Sequence, residues 1–109
     1  MQLYKAYLKE RENAELIERN WGWCSYRVEE DHVYLIDIYV LPQYREHGKG
    51  TELLGVVESV AREVGRPAVL GSIATNVPGA DRMYGIMNGL GFKIHSSDKD
   101  IIYMIKELK

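Results

Sequence analysis

The run Arg45-Glu46-His47-Gly48-Lys49-Gly50 gathers the residues of this sequence best able to hold an anion. Gly48 and Gly50 remove side chains where a ligand must approach the backbone closely. Arg45, His47 and Lys49 supply local positive character in a chain whose formal net charge is −2. Just beyond, Leu53, Leu54, Val56, Val57, Val60, Ala61 and Val64 recur at helical spacing, so the loop opens into an amphipathic helix. The first amides of such a helix have no internal partners and lie at the positive end of its dipole. The arrangement suits a phosphate or pyrophosphate. Two common nucleotide motifs do not fit it. A P-loop requires glycine where Gln43 stands and serine or threonine where Gly50 stands, and the dinucleotide fingerprint requires a third glycine where Leu53 stands. Taken alone, a Gly-x-Gly is more often a tight turn than a ligand site.

The elements around the loop give it a frame. Val33 to Val40 is the clearest strand, rich in β-branched and aromatic residues, and being apolar on both faces it reads as central. Pro42 ends it. The helix after the loop runs from about Lys49 to Val64 and is closed by Gly65 and Pro67. Ala68 to Ile73 is a second buried strand, expected to lie parallel to the first through a right-handed crossover. A turn from Asn76 to Asp81 leads, with Asp81 as cap, into a helix from Arg82 to about Leu90, whose apolar face is Met83, Ile86, Met87 and Leu90. Phe92 to Ser96 and Ile101 to Lys106 read as closing strands joined by a polar turn. Ahead of the central strand, Met1 to Lys9 alternates loosely like a first strand, and Glu10 to Asn20 reads as a short amphipathic helix. Trp23 to Val28 is a strand that forms a hairpin with the central one through the polar turn Glu29 to His32. The expected order is β-α-β-β-α-β-α-β-β, in one domain spanning residues 1–109.

The segment Tyr34 to Leu54 resembles the acetyl-CoA-binding segment of the GNAT superfamily of N-acetyltransferases. There a strand ending like L-x-V-x-P-x-Y-R is followed by [QR]-x-x-G-x-[GA] and an apolar helix. Arg45, Gly48 and Gly50 fill the defining positions, Val40, Pro42, Tyr44 and Leu54 the accessory ones, and Leu90-Gly91-Phe92 looks like the family's junction between last helix and following strand. The resemblance implies an α/β (α+β) fold, with a mixed, mostly antiparallel twisted sheet, a central parallel strand pair and flanking helices. It implies acetyl-CoA as cosubstrate, with the diphosphate on the amides from about His47 to Thr51 and the pantetheine along Ile38, Tyr39 and Val40 like an added strand. Cofactor-binding residues on this reading are Ile38, Tyr39, Val40, Arg45, Glu46, His47, Gly48, Lys49, Gly50, Thr51 and Asn76. Asn76 is placed to contact the pantetheine arm, and as a turn-forming asparagine before Pro78 it has an equally good structural reading.

Acetyl transfer to an amine needs a neutral amine and then a proton for the departing thiolate. The family's usual route is direct attack in a ternary complex, with proximity supplying much of the rate. Asp37 is the first candidate for the base, a partly desolvated carboxylate within the central strand; an acid paired with a basic neighbour is the alternative. His32 has a suitable intrinsic pKa and sits in a turn. The family's usual acid is a tyrosine five residues ahead of the phenylalanine of that junction. Met87 occupies this position, which leaves Tyr84, about a turn earlier, as the candidate acid. Cys24 reads better as a small core residue than as a nucleophile. Only 32 residues precede the central strand, fewer than the family's two-helix segment. The expectation is an open acceptor site suited to a protein or peptide amine, or one completed by a second subunit in a homodimer.

Composition bounds the alternatives. Charged residues at 28% and hydrophobic ones at 46% are ordinary for a soluble globular domain, and the acidic balance gives no general attraction to nucleic acid or anionic membrane. One cysteine provides neither an internal disulfide nor a cysteine-rich metal site, so no metal is expected. No signal peptide is apparent, and the longest apolar stretch is about half a membrane span, which makes the cytoplasm the default location. Two further readings stay open. One is a CoA-binding or protein-interaction module with little catalysis; the other is an unrelated α+β domain with a fortuitous loop.

Overall fold

The computed structural model describes residues 2–109. Its elements run α1 (Gln2–Glu12), β1 (Glu15–Arg19), β2 (Gly22–Val28), β3 (Val33–Val40), α2 (Lys49–Glu63), β4 (Ala68–Ala74), α3 (Ala80–Gly89), β5 (Lys93–Asp98) and β6 (Ile101–Glu107). The six strands form one sheet in the order β1-β2-β3-β4-β6-β5. Every neighbouring pair is antiparallel except β3 and β4. The mixed sheet with its single parallel pair and flanking helices is the architecture expected from the sequence.

The N-terminal order differs from expectation. The anticipated strand over Met1 to Lys9 is instead helix α1, and the anticipated helix over Glu10 to Asn20 is instead strand β1; Met1 itself lies outside the described residues. The reason is burial. Leu3, Tyr4 and Tyr7 are exposed and, among the described residues of the segment, only Leu8 is buried, so these residues show no apolar alternation to hold them in a sheet. Ala14 and Leu16 are buried two residues apart, the period of a strand, and Leu16 pairs with Ser25 of β2. Asn13, in the left-handed region at φ 53°, separates the two elements, with its N–H on the Lys9 carbonyl at 3.1 Å. The last helix starts at Ala80 after Gly79, and Asp81 lies within its first turn rather than capping it by its side chain.

The principal core lies between the sheet and α2 with α3. Leu53, Leu54, Val57 and Ala61 of α2 meet Cys24, Tyr26, Val33, Leu35 and Val69 of the strands and Met87 and Phe92 from the α3 region. On the other face of β3, Ile36 joins Trp23, Leu8, Ala14 and Leu16 in a smaller cluster under α1. The pairing of β2 with β3 jumps from Ser25↔Asp37 to Tyr26↔Leu35, so Ile36 is the extra residue of a bulge. Both core helices end in the same hydrogen-bonded device. Arg66 N–H reaches Ala61 O at 2.7 Å behind Gly65 at φ 76°, and Phe92 N–H reaches Met87 O at 3.0 Å behind Gly91 at φ 98°. Glycine is required at these two positions by their left-handed backbone. The Leu90-Gly91-Phe92 motif thus both ends α3 and drives Phe92 into the core. Among the described residues no helix is long and apolar enough to cross a membrane.

Candidate functional site

The parallel pairing of β3 with β4 extends only over Val33↔Val69 and Tyr34↔Leu70. Beyond it the strands separate, and the second half of β3 presents an unpaired edge. Leu41 N–H donates to Trp21 O at 2.8 Å, so alternation turns Tyr39 toward β2 and the polar backbone of Ile38 and Val40 toward the gap. Two of these gap-facing groups are satisfied locally. Ile38 N–H donates to Asp37 Oδ1 at 2.9 Å, and Arg45 Nε donates to Val40 O at 2.9 Å. Among the described residues the Ile38 carbonyl and the Val40 N–H have no strand partner across the gap.

The gap opens into a cleft of about 830 Å³ between the end of β3, the first turn of α2 and the exposed side of α3. Pro42 to Tyr44 make a single 3-10 turn off the end of β3. Glu46 at φ 63° and Gly48 at φ 77°, both left-handed, then reverse the chain into α2. Among the described residues no side chain caps α2, so its leading amides remain open. A β-carbon on Gly48 would meet nothing within 4 Å, and one on Gly50 would meet only Leu90 Cδ2 at 3.6 Å. Space at both positions is therefore given over to the cleft. The geometry suits an elongated ligand with an anionic group at the α2 terminus and an amide-bearing arm along β3.

Of the cofactor-binding residues anticipated from the sequence, Ile38, Tyr39, Val40, Arg45, Glu46, Gly48, Lys49, Gly50 and Thr51 line this cleft. His47 and Asn76 are exposed and do not line it. Arg45 is half-buried, with its guanidinium 5.7 Å from the Tyr39 ring centroid; its hydrogen bond to Val40 fixes the loop to the strand. Lys49 Nζ lies 5.0 Å from the Trp21 ring centroid and 3.8 Å from Glu52 Oε1. Helical spacing groups Met83, Ile86, Met87 and Leu90 as one apolar stripe, and the structure divides it. Met87 enters the core, while Met83, Ile86 and Leu90 line the cleft together with Gly79 and Arg82. Arg82 was not anticipated; its four-residue spacing from Ile86 and eight from Leu90 is the signal that places it on their face.

The catalytic candidates fall outside the cleft wall. Asp37 is exposed, not partly desolvated as anticipated, and it pairs in register with Ser25 at the edge of the gap. Tyr84 is 38% exposed on a side of α3 that does not line the cleft. Met87 is 4% exposed, and its Cε comes so near Gly71 that a β-carbon there would lie only 2.7 Å from it. His32 sits in the β2–β3 turn, at the opposite end of β3, with Nδ1 2.7 Å from Asp31 Oδ1. This bond holds the exposed Asp31 carboxyl below its usual range. Cys24 is fully buried, and desolvation pushes its thiol up to about 12 against a weak opposing influence of Arg19. A neutral buried thiol is a poor nucleophile. The native protein is expected to resist a disulfide reagent near pH 8 and to release its one reactive thiol on unfolding. Rapid labelling of the folded chain would contradict that.

Comparisons with known proteins agree with this fold. The fold overlays on PaiA N-acetyltransferase from Thermoplasma acidophilum, solved in complex with coenzyme A, with TM-score 0.75 and 16% identity over 98% of this chain and 69% of that one. A putative GNAT-family acetyltransferase from Desulfovibrio desulfuricans matches with TM-score 0.77 and 19% identity over 97% of this chain and 77% of that one. The anti-CRISPR protein AcrVA5 matches with TM-score 0.68 and 22% identity over 83% of this chain and 96% of that one. No curated protein matches in sequence. The profile of the acetyltransferase (GNAT) family matches residues 4–92, and this chain belongs to that family.

Proposed function

We propose that the protein binds acetyl-CoA in the cleft and transfers the acetyl group to a primary amine by direct attack in a ternary complex. The observation that carries this reading is the meeting, in one cleft, of the uncapped α2 terminus with the unpaired edge of β3. The diphosphate sits on the amides around Gly48 to Thr51, where charge and open donors coincide. The pantetheine pairs its amides with the Ile38 carbonyl and the Val40 N–H and so extends the sheet. That pairing directs the thioester into the gap between β3 and β4. His47 and Asn76, outside the cleft wall, take at most a peripheral part.

The acceptor amine approaches from the side of the gap where Asp37 is exposed. Asp37 accepts the amine's proton through water, the nitrogen attacks the thioester carbonyl, and the tetrahedral intermediate expels the CoA thiolate, which takes up a proton. Tyr84 supplies that proton only if its side chain turns inward; otherwise solvent does. Asp37→Asn is expected to lower kcat about 100-fold while leaving acetyl-CoA affinity unchanged, as steady-state kinetics and a binding titration will show. A kcat within a factor of about two of the parent would remove Asp37 from the mechanism. The acceptor is a protein, peptide or small amine, and the cytoplasm is the location we propose.

One observation favours a second reading, a CoA-binding module with little turnover. Neither Met87, at the family's acid position, nor Tyr84 lines the cleft. Two measurements separate the readings. Acetyl-CoA should raise the melting temperature on either, but release of free CoA thiol with a panel of amines and peptides requires the enzyme. Absence of any thermal shift would reject both.

A further inference from the structure

Among the described residues, three cationic side chains line the cleft: Arg45, Lys49 and Arg82. Two are already engaged. Arg45 is bonded to the Val40 carbonyl and faces the Tyr39 ring, and Lys49 lies over Trp21 beside Glu52. Arg82 is exposed and, among the described residues, has no hydrogen-bond, ion-pair or aromatic partner. It stands two helical turns from Leu90, whose side chain lies against Gly50 at the α2 terminus. Eight residues of helix separate the two positions by about 12 Å. The cleft therefore carries a second, uncommitted positive charge displaced along α3 from the diphosphate position, with Met83 and Ile86 as apolar wall beside it.

Coenzyme A carries two separated anionic groups, the diphosphate that links its halves and a 3′-phosphate on its ribose. Resting on the proposal that the cleft binds acetyl-CoA, we infer that Arg82 is the specificity residue for the 3′-phosphate, and that the adenosine lies along the exposed side of α3. A guanidinium matches phosphate geometry through paired donors, and an arginine without a protein partner forfeits no existing bond on binding. Because the site is solvent-exposed, its contribution depends on ionic strength.

Calorimetric titration with CoA and with 3′-dephospho-CoA, at low and high salt, tests the assignment. The parent protein is expected to prefer CoA about tenfold at low salt, with the preference shrinking as salt rises. Arg82→Gln should bind both ligands alike, at the affinity the parent shows for 3′-dephospho-CoA, and Arg82→Lys should keep part of the preference. A parent without preference, or an Arg82→Gln variant that retains it, overturns the inference. Equal weakening of both ligands in Arg82→Gln also overturns it, by assigning Arg82 to the diphosphate or to the fold. Failure of the parent to bind either ligand would instead reject cofactor binding itself, and this inference with it.

Discussion

Gly50→Leu is expected to abolish the rise in melting temperature that acetyl-CoA produces, with the unliganded protein as stable as the parent or slightly more so. Gly50 lies in the first turn of α2 and faces the cleft. A β-carbon there finds ordinary contact with Leu90 Cδ2 at 3.6 Å, so the backbone tolerates substitution. The rest of a leucine side chain must occupy the volume proposed for the diphosphate. Removing a helical glycine also favours the folded state by about 0.5–1 kcal/mol, which separates loss of binding from loss of fold. At a ligand concentration about 100 times Kd, binding contributes about 2.7 kcal/mol. For a domain of this size the missing shift is then on the order of 10–20 °C in a thermal melt. Gly48 is a poorer probe. Its φ of 77° strains any other residue whatever the space around it, so fold and binding would change together. Unchanged CoA affinity in Gly50→Leu would reject the loop as the diphosphate site.

Phe92→Ala should be the most damaging core substitution of those near the site. Phe92 is 2% exposed and among the largest fully buried side chains, and its N–H closes the end of α3 on Met87 O. Truncation removes its apolar transfer energy and leaves a cavity beneath α3, at a cost of about 3–5 kcal/mol. Against a total stability of about 5–15 kcal/mol this is a large share. The melting temperature is expected to fall on the order of 10–40 °C. In urea the midpoint should drop with the slope unchanged if the native state remains compact. The effect reaches the site because Leu90, two residues earlier, packs beside Gly50, so a loosened α3 end slackens one wall of the cleft. A cost below about 1 kcal/mol would show that the glycine turn alone anchors α3.

Asp37 and Met87, which stands at the family's acid position, were the least legible parts of the site. Met87 carries the spacing of a cleft-facing residue in the family, but a helix bordering both a core and a cleft has two apolar faces, and periodicity does not say which side is which. The β-carbon-free surface of Gly71 admits Met87, and this contact, far away in sequence, sends it inward. Asp37 could be placed on a strand but not given an environment. Its exposure follows from where β4 stops pairing with β3, a property of two strands and of neither one alone.

Local chemistry, by contrast, was readable directly. The β3 strand, the glycine loop and α2 follow from β-branched runs, from backbone conformations only glycine adopts cheaply, and from a helical apolar period, all of which act within a few residues. The Leu90-Gly91-Phe92 turn is likewise encoded where it occurs. The N-terminal elements exchanged identity because Leu3, Tyr4 and Tyr7 are apolar yet unburied, and sequence alone does not distinguish an apolar residue left at the surface from one packed in a sheet. The amino-acid sequence thus determined, by itself, the glycine loop and the elements on either side of it. The tertiary structure decided the unpaired edge of β3, the cleft beside α3 and the place of Arg82 in its wall, because each depends on distances between segments remote along the chain.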